Sequence, residues 1–266
     1  MKALDKYNQR VDAVNSLVCV GLDSDISKLP DWYRKQSLPQ LDFNREIIKK
    51  TADHVSAFKF NMAFYEERGA DGLNELALSI EYLRDLHPDI LTICDAKRSD
   101  IGNTSRAYAR AIFDEIGFDA ITLSPYLGRD ALQPFLDYED KACIILCRTS
   151  NHGSGEFQSL EIDSKPLWQI VAERVADEWN TNNNCMLVVG ATYPEEMAKI
   201  RHVTGDLTLL VPGIGAQGGD IEAVMKAGLN SHRAGLIINS SRGIIFSDDP
   251  ALSAQQLRDE INRFHV

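Results

Sequence analysis

Ile90-Leu91-Thr92-Ile93-Cys94-Asp95-Ala96-Lys97-Arg98-Ser99-Asp100-Ile101-Gly102-Asn103-Thr104 is the stretch on which the fold turns. Its first half is apolar without in-out alternation. It stops abruptly at an acid and a base, and Ala107, Ala111 and Ile112 then follow at helical spacing. A strand that is apolar on both faces belongs to a sheet covered on both sides, and a helix directly after it makes that sheet parallel.

Working outward, the same unit recurs along the whole chain. Strand-like runs are LVCVGLD from Leu17, VSAFKFN from Val55, ILTICDA from Ile90, DAITLSP from Asp119, ACIILCRT from Ala142, CMLVVGA from Cys185, LTLLVPG from Leu207 and GLIINSS from Gly235. Helical spacing separates them, as at Leu73, Leu76, Ile80, Leu83 and Leu86, or at Leu167, Ile170, Val171 and Val175. An open doubly wound sheet and a closed barrel both fit this alternation. The eight units fill all 266 residues with no linker or low-complexity run between them. We therefore expect one domain, residues 1–266, folded as an α/β protein of the (β/α)₈ TIM-barrel class, which typically takes about 250 residues. The longest irregular stretch, Asp23 to Leu41 with Pro30 and Pro39, reads as a loop on one rim.

Composition narrows the function. The formal charge is −11, from 28 Lys and Arg against 39 Asp and Glu. A polyanion such as nucleic acid, or an anionic membrane, is repelled by such a chain, whereas a small anion can still enter a focused pocket. The polar start, Met1 to Arg10, does not resemble a signal peptide, and the first apolar run is far too short to span a membrane, so a cytoplasmic protein is expected. The five cysteines, Cys19, Cys94, Cys143, Cys147 and Cys185, sit within apolar runs and read as buried free thiols. The six histidines are scattered without metal-ligand spacing, so no metal is expected. No G-x-S-x-G elbow occurs, and Trp32, Trp168 and Trp179 read as packing residues.

Chemistry gathers where the strands end. Asp23, Lys59 and Asn61, Asp95 and Lys97, Ser124, Thr149 and Ser150, and Asn239 to Arg242 all close an apolar run. In a barrel these ends form one mouth, where catalytic groups collect. With a strand period of two, Asp95 and Lys97 point to one face, with Lys59 on the neighbouring strand and Asp100 just beyond. Lys59, Asp95, Lys97 and Asp100 would balance one another's charge, as buried ions must. Val211-Pro212-Gly213-Ile214-Gly215-Ala216-Gln217-Gly218-Gly219-Asp220 is a glycine-rich turn between the seventh strand and a helix. Its backbone N–H groups and the helix start suit a phosphate, and Arg242 after the eighth strand can pair with the same group. Gly213, Gly215 and Gly218 satisfy G-x-G-x-x-G, but a match on the seventh unit, with no acid at the next strand end, does not read as a dinucleotide site.

With these residues in place, the chain resembles the orotidine 5′-phosphate decarboxylase family in its long bacterial branch, from about Val18 to Phe246. The most specific part is Asp95 to Thr104, supported by Val20-Gly21-Leu22-Asp23, Phe58-Lys59, Thr149-Ser150-Asn151 and the turn Val211 to Gly219. The resemblance implies a homodimeric (β/α)₈ barrel that converts orotidine 5′-phosphate to uridine 5′-phosphate in pyrimidine biosynthesis, with no cofactor or metal. It implies that Lys97 stabilises and protonates a C6 carbanion while Asp95 lies against the departing carboxylate. Lys59 and Asp100 would complete the charge network, with Asp100, Ile101 and Thr104 reaching into the partner subunit's site. Asp23 and Lys59 would meet the ribose and Ser150 the pyrimidine edge. Gln217 and Arg242 would lie at the phosphate, and Pro212, Gly218 and Ser241 are further substrate-binding positions. His152 stands where the family commonly has proline, which touches only the local loop shape. Two other readings remain at this point. One is a Mg²⁺-dependent barrel enzyme acting on a sugar phosphate, which would need an acid where Lys59 stands; the other is a non-catalytic nucleotide-binding protein.

Overall fold

The computed structural model describes residues 1–214 and 219–265. Its centre is a closed parallel barrel of eight strands. In chain order these are β1 (Val18–Gly21), β2 (Ala57–Asn61), β3 (Leu91–Arg98), β4 (Ala120–Leu123), β5 (Ala142–Arg148), β6 (Cys185–Val189), β7 (Leu209–Pro212) and β8 (Leu236–Ser240). Each strand pairs with its successor, and β8 closes the ring on β1 through Val18 opposite Ile238. Every apolar run of the sequence thus supplies one strand. The physical reason is the double coverage that made the runs continuous: strand residues face either the barrel interior or the surrounding helices, and both are dry.

The helices pack outside the barrel, as α1 (Ala3–Val14), α2 (Pro39–Thr51), α3 (Gly69–Leu86), α4 (Gly102–Arg110), α5 (Arg129–Leu136), α6 (Leu167–Arg174), α7 (Pro194–Thr204), α8 (Ile221–Gly228) and α9 (Pro250–Asn262). On α3, Leu76, Ile80 and Leu83 are buried as expected, but Leu73 and Leu86 face outward. On α4 the buried face is Ser105 and Ala109, continued by Ile112 and Phe113, and Ala107 and Ala111 are exposed. The buried positions keep ordinary helical spacing two residues off the expected face, and the helix ends in a wider π turn, Ala111–Ile116. Leu167, Ile170 and Val171 on α6 are half-buried, and Trp168, Ala172 and Val175 form its inner face, again before a π turn at Val175–Trp179.

Some parts were not anticipated. The polar N-terminus forms α1, which lies across the bottom of the barrel, where Tyr7 donates its hydroxyl to the Leu236 carbonyl and Lys6 pairs with Asp119 at 2.8 Å. The stretch after Asp23 is not wholly irregular, containing a 3₁₀ turn at Ile26–Lys28 and a short helix at Asp31–Arg34 before α2 starts. A small antiparallel ribbon pairs Glu161–Ile162 with Lys165–Pro166 around Asp163 and Ser164, both at positive φ as a two-residue hairpin turn requires. Trp168 and Trp179 pack inside, but Trp32 is 72% exposed and serves no core. All five cysteines are free and buried. Among the described residues no helix is long and apolar enough to cross a membrane.

Candidate active site

The polar strand ends meet at one mouth of the barrel. Lys59 sits near the end of β2, only 4% exposed, with its Nζ 3.0 Å from Asp95 Oδ2 and 3.6 Å from Asp23 Oδ1. Lys97 Nζ lies 2.6 Å from Asp95 Oδ1 on the other side. The result is a row of alternating charge, Asp23, Lys59, Asp95, Lys97, which sums to zero. Within one chain the fourth member of the row is Asp23. Asp100 Oδ1 instead accepts the Ile101 backbone N–H at 2.7 Å, and Asp100 joins no ion pair within this chain among the described residues.

The reason Lys97 reaches Asp95 differs from the strand-period expectation. Pairing between β3 and β4 slips between Cys94 and Arg98, so Lys97 sits in a bulge with φ at +50°. The left-handed region is strained for a residue with a Cβ, and such strain persists only where the surroundings hold it. Thr122 on β4 does the holding. Its Oγ1 accepts the Lys97 backbone N–H at 2.9 Å and donates to Asp95 Oδ1 at 2.9 Å. A bulge re-aims a side chain. Here it lifts the Lys97 ammonium off the pleat while one hydroxyl fixes both members of the pair.

Burial and charge oppose each other in this row. Burial works against the Lys59 charge, but Asp23 and Asp95 outweigh it and raise its pKa above the ordinary lysine value. Burial likewise pushes the Asp95 carboxyl up, and Lys59 and Lys97 outweigh that and hold it well below the usual carboxylate range. Both groups are therefore charged at neutral pH. Below them the Cys19 thiol is pushed up to about 12, chiefly by burial. One oxygen, Asp23 Oδ1, is buried with no hydrogen-bond partner, and the same holds for Asn239 Oδ1 on β8.

A cavity of about 360 Å³ opens over the row, lined by Lys59, Asp95, Lys97, Thr122, Ser150 and Pro212 among others. That is within the range of about 300–1,000 Å³ usual for small-molecule sites. Ser150 follows β5 and packs on Gly190, where a Cβ would stand 2.8 Å from the Ser150 Cα. His152 opens a 3₁₀ turn, His152–Ser154, a first-turn position that also accommodates proline. On the far side, Gly213 at φ +102° begins the glycine-rich turn, whose ends are joined by the bridge between Ile214 and Gly219. Gln217 and Gly218 lie outside the described residues.

The expectation that the helix after this turn offers its free N-terminus to a phosphate is corrected. Asp220 caps α8 with its own carboxylate, accepting the N–H groups of Glu222 and Ala223 at 2.9 and 3.3 Å. Those donors are already used, and an acid stands at the helix start. Arg242 has no such neighbour: it is exposed and, among the described residues, within salt-bridge distance of no carboxylate. Ser241, just before it, fills the space that a side chain at Gly21 would need, its Oγ 1.9 Å from where that Cβ would stand. Ile101 and Thr104 are exposed at the start of α4 and do not enter this chain's own cavity. Sequence reasoning missed Thr122, for which the only signal was a polar β-branched residue in the middle of an apolar run. It also missed Gln158, another lining residue, which no pattern marked. Among the described residues no three His, Cys, Asp or Glu side chains converge as metal ligands.

Comparison with known proteins gives a consistent result. A model of the orotidine 5′-phosphate decarboxylase / HUMPS family matches residues 16–257. The orotidine 5′-phosphate decarboxylase of Cupriavidus metallidurans is 48% identical over 258 residues, 94% of either chain. Among solved structures, the OMP decarboxylase of Leishmania donovani superposes with a TM-score of 0.90 at 40% identity, covering 100% of this chain and 99% of that one. The UMP synthase of the same organism gives 0.92 at 42% identity, covering 100% of this chain and 57% of the other.

Proposed function

Since the chain belongs to the orotidine 5′-phosphate decarboxylase family, we propose that the charged row at its barrel mouth is where orotidine 5′-phosphate loses its carboxylate. The enzyme is a carboxy-lyase that converts orotidine 5′-phosphate to uridine 5′-phosphate and CO₂ in pyrimidine biosynthesis. The observation that carries the assignment of the site is the row itself, Asp23, Lys59, Asp95, Lys97, ending at an ammonium that faces the cavity.

In this reading the bond from C6 to the carboxylate breaks and its electron pair stays on C6. Lys97 stands beside that carbon, stabilises the developing negative charge and transfers a proton from Nζ to C6, after which solvent restores its proton. A cation fixed before the reaction matches the transition state better than the substrate, and needs no reorganisation as charge develops. Asp95 lies against the departing carboxylate, held ionised by its two lysines. Asp23, paired with Lys59 at the edge of the row, meets a ribose hydroxyl, and Lys59 meets the same sugar. Ser150 meets the pyrimidine edge. Arg242 meets the phosphate, with Gln217, Gly218, Pro212 and Ser241 around it. Phosphate binding far from C6 then contributes energy that closes the mouth over the row. The required cation is Lys97, so the step is written without metal or cofactor, and the Mg²⁺-dependent alternative is disfavoured by the buried Lys59 ammonium where an acidic ligand would have to stand.

We further propose that the 266 residues act as one domain and that two copies share their sites, with Asp100, Ile101 and Thr104 serving the partner's cavity. Ile101 is 64% exposed, and Tyr126 on the adjoining rim is 82% exposed, an apolar surface that a second copy would cover. The test is to mix Asp95→Asn and Asp100→Asn proteins, each inactive alone, and follow orotidine 5′-phosphate by ultraviolet absorbance. Heterodimers carrying one intact site should regain activity. No gain after demonstrated subunit exchange would contradict the shared site, and an inactive wild-type control would contradict the assignment of the cavity.

A further inference from the structure

Behind the Ser150 loop lies a buried cation that the charged row does not use. Arg148 ends β5 just after a slip in the pairing of β5 with β6, and it is only 4% exposed. Its Nε donates to Glu196 Oε2 at 3.0 Å, in the first turn of α7, and its guanidinium lies 3.7 Å over the Tyr193 ring. One terminal nitrogen donates to Ser154 Oγ at 2.5 Å and approaches Gln158 Oε1 at 3.5 Å. Gln158 in turn holds Thr149 twice. Its Oε1 accepts the Thr149 backbone N–H at 2.9 Å, and its Nε2 donates to Thr149 Oγ1 at 2.9 Å. The Thr149 hydroxyl passes the constraint on to Asn151 Oδ1 at 2.7 Å.

From this chain of contacts we infer that Arg148 is a positioning residue for base recognition: through Ser154 and Gln158 it fixes the Thr149–Asn151 segment so that Ser150 faces the cavity in one orientation. The inference rests on the reading of the cavity as the orotidine 5′-phosphate site. Three features support it. A planar guanidinium with several donors can brace one loop from two sides, which an ammonium cannot. Burying that charge is costly unless it is paired and hydrogen-bonded, and it is paired with one carboxylate from a different βα unit, so the loop is tied to α7. Gly190 packs directly on the segment, since a Cβ there would lie within 2.8–2.9 Å of the Ser150 N, Cα and Cβ. A group that must meet a flat heterocycle edge-on gains from such preorganisation, because the loop's ordering cost is met before the ligand arrives.

The test separates base recognition from general damage. Dissociation constants of uridine 5′-phosphate and of ribose 5-phosphate, which has the phosphate and sugar but no base, are measured by calorimetry for the wild type, Arg148→Met and Arg148→Lys. Loss of the charge-assisted contacts should weaken uridine 5′-phosphate by about ten-fold in Arg148→Met and leave ribose 5-phosphate within about two-fold. KM for orotidine 5′-phosphate should rise more than kcat falls. Arg148→Lys should be intermediate, because its ammonium can keep Glu196 but not the fork. Equal weakening of both ligands, or unchanged uridine 5′-phosphate binding, would overturn the inference. Should Arg148→Met not fold, Gln158→Ala and Gly190→Ala disturb the same segment without touching the buried charge, and each should reproduce the base-selective loss. Their failure to do so would overturn it equally. A wild type that does not prefer uridine 5′-phosphate over ribose 5-phosphate would instead contradict the assignment of the cavity.

Discussion

Replacing Thr122 by valine keeps the shape of a fully buried side chain and removes one hydroxyl, which makes it a clean probe of how Lys97 is held. That hydroxyl donates to Asp95 and accepts the Lys97 backbone N–H, both at 2.9 Å. A hydrogen bond to a charged group is worth about 1.5–3 kcal/mol, and a stranded amide costs about 1–3 kcal/mol, with the low end fitting a half-exposed residue such as Lys97. The expected loss of stability is therefore about 2–4 kcal/mol, visible as a lower midpoint of denaturation at unchanged slope. Lys97 at φ +50° is anchored at its amide by this hydroxyl, so the bulge should relax and carry the ammonium away from the cavity. If a half or more of the loss appears in the transition state, kcat/KM for orotidine 5′-phosphate falls by about 10- to 100-fold. Steady-state kinetics and urea denaturation on the same preparation decide it. A Thr122→Val enzyme within about three-fold of wild-type kcat/KM and of equal stability would refute the role given to the hydroxyl.

Further outcomes follow from the same geometry. Asp95 titrates below the normal carboxylate range in the folded protein, because its two lysines outweigh the effect of burial. Its contribution to stability is thus complete above the unfolded value near 3.9 and is lost as pH falls through the folded value. The stability gap between wild type and Asp95→Asn should be flat from about pH 5 to 9 and shrink below about pH 4, and a gap that instead changes through neutrality would contradict this. Burial pushes the Cys19 and Cys185 thiols up to about 12, and all five cysteines are enclosed, so an aromatic disulfide reagent at pH 8 should label none in the native enzyme within minutes and all five in guanidinium. Rapid labelling of any one in the native state would count against the described packing.

What the sequence disclosed, and what it withheld, follows from which interactions are local. The eight strands were legible because a parallel strand buried on both faces leaves a continuous apolar run, and the mouth was legible because most of the runs stop at a polar residue. The bulge at Lys97 was not legible. It depends on a slip against β4 and on Thr122, 25 residues away, neither of which leaves a local pattern. For the same reason the place of Asp23 beside Lys59 was not legible, because the barrel brings the two together across the β1–β2 edge. The faces of α4 and α6 were misplaced because small or apolar residues at helical spacing occur on more than one face: Ala107 and Ala111 are exposed while Ser105 and Ala109 are buried, and Leu167, Ile170 and Val171 flank the inner row of Trp168, Ala172 and Val175. Arg148 was hidden by its place inside an apolar run, where its charge is meaningful only once Glu196 is alongside.

The central claim is that Lys97, poised by Asp95 in the alternating row, supplies both the cation and the proton at C6. Its most direct test is Lys97→Ala, assayed side by side with wild type for turnover of orotidine 5′-phosphate by ultraviolet absorbance and for affinity toward uridine 5′-phosphate. The wild type should convert orotidine 5′-phosphate to uridine 5′-phosphate, the mutant should show no detectable conversion, and the mutant should fold and still bind uridine 5′-phosphate through the ribose and phosphate contacts. A folded Lys97→Ala enzyme that turns over at the wild-type rate would contradict it.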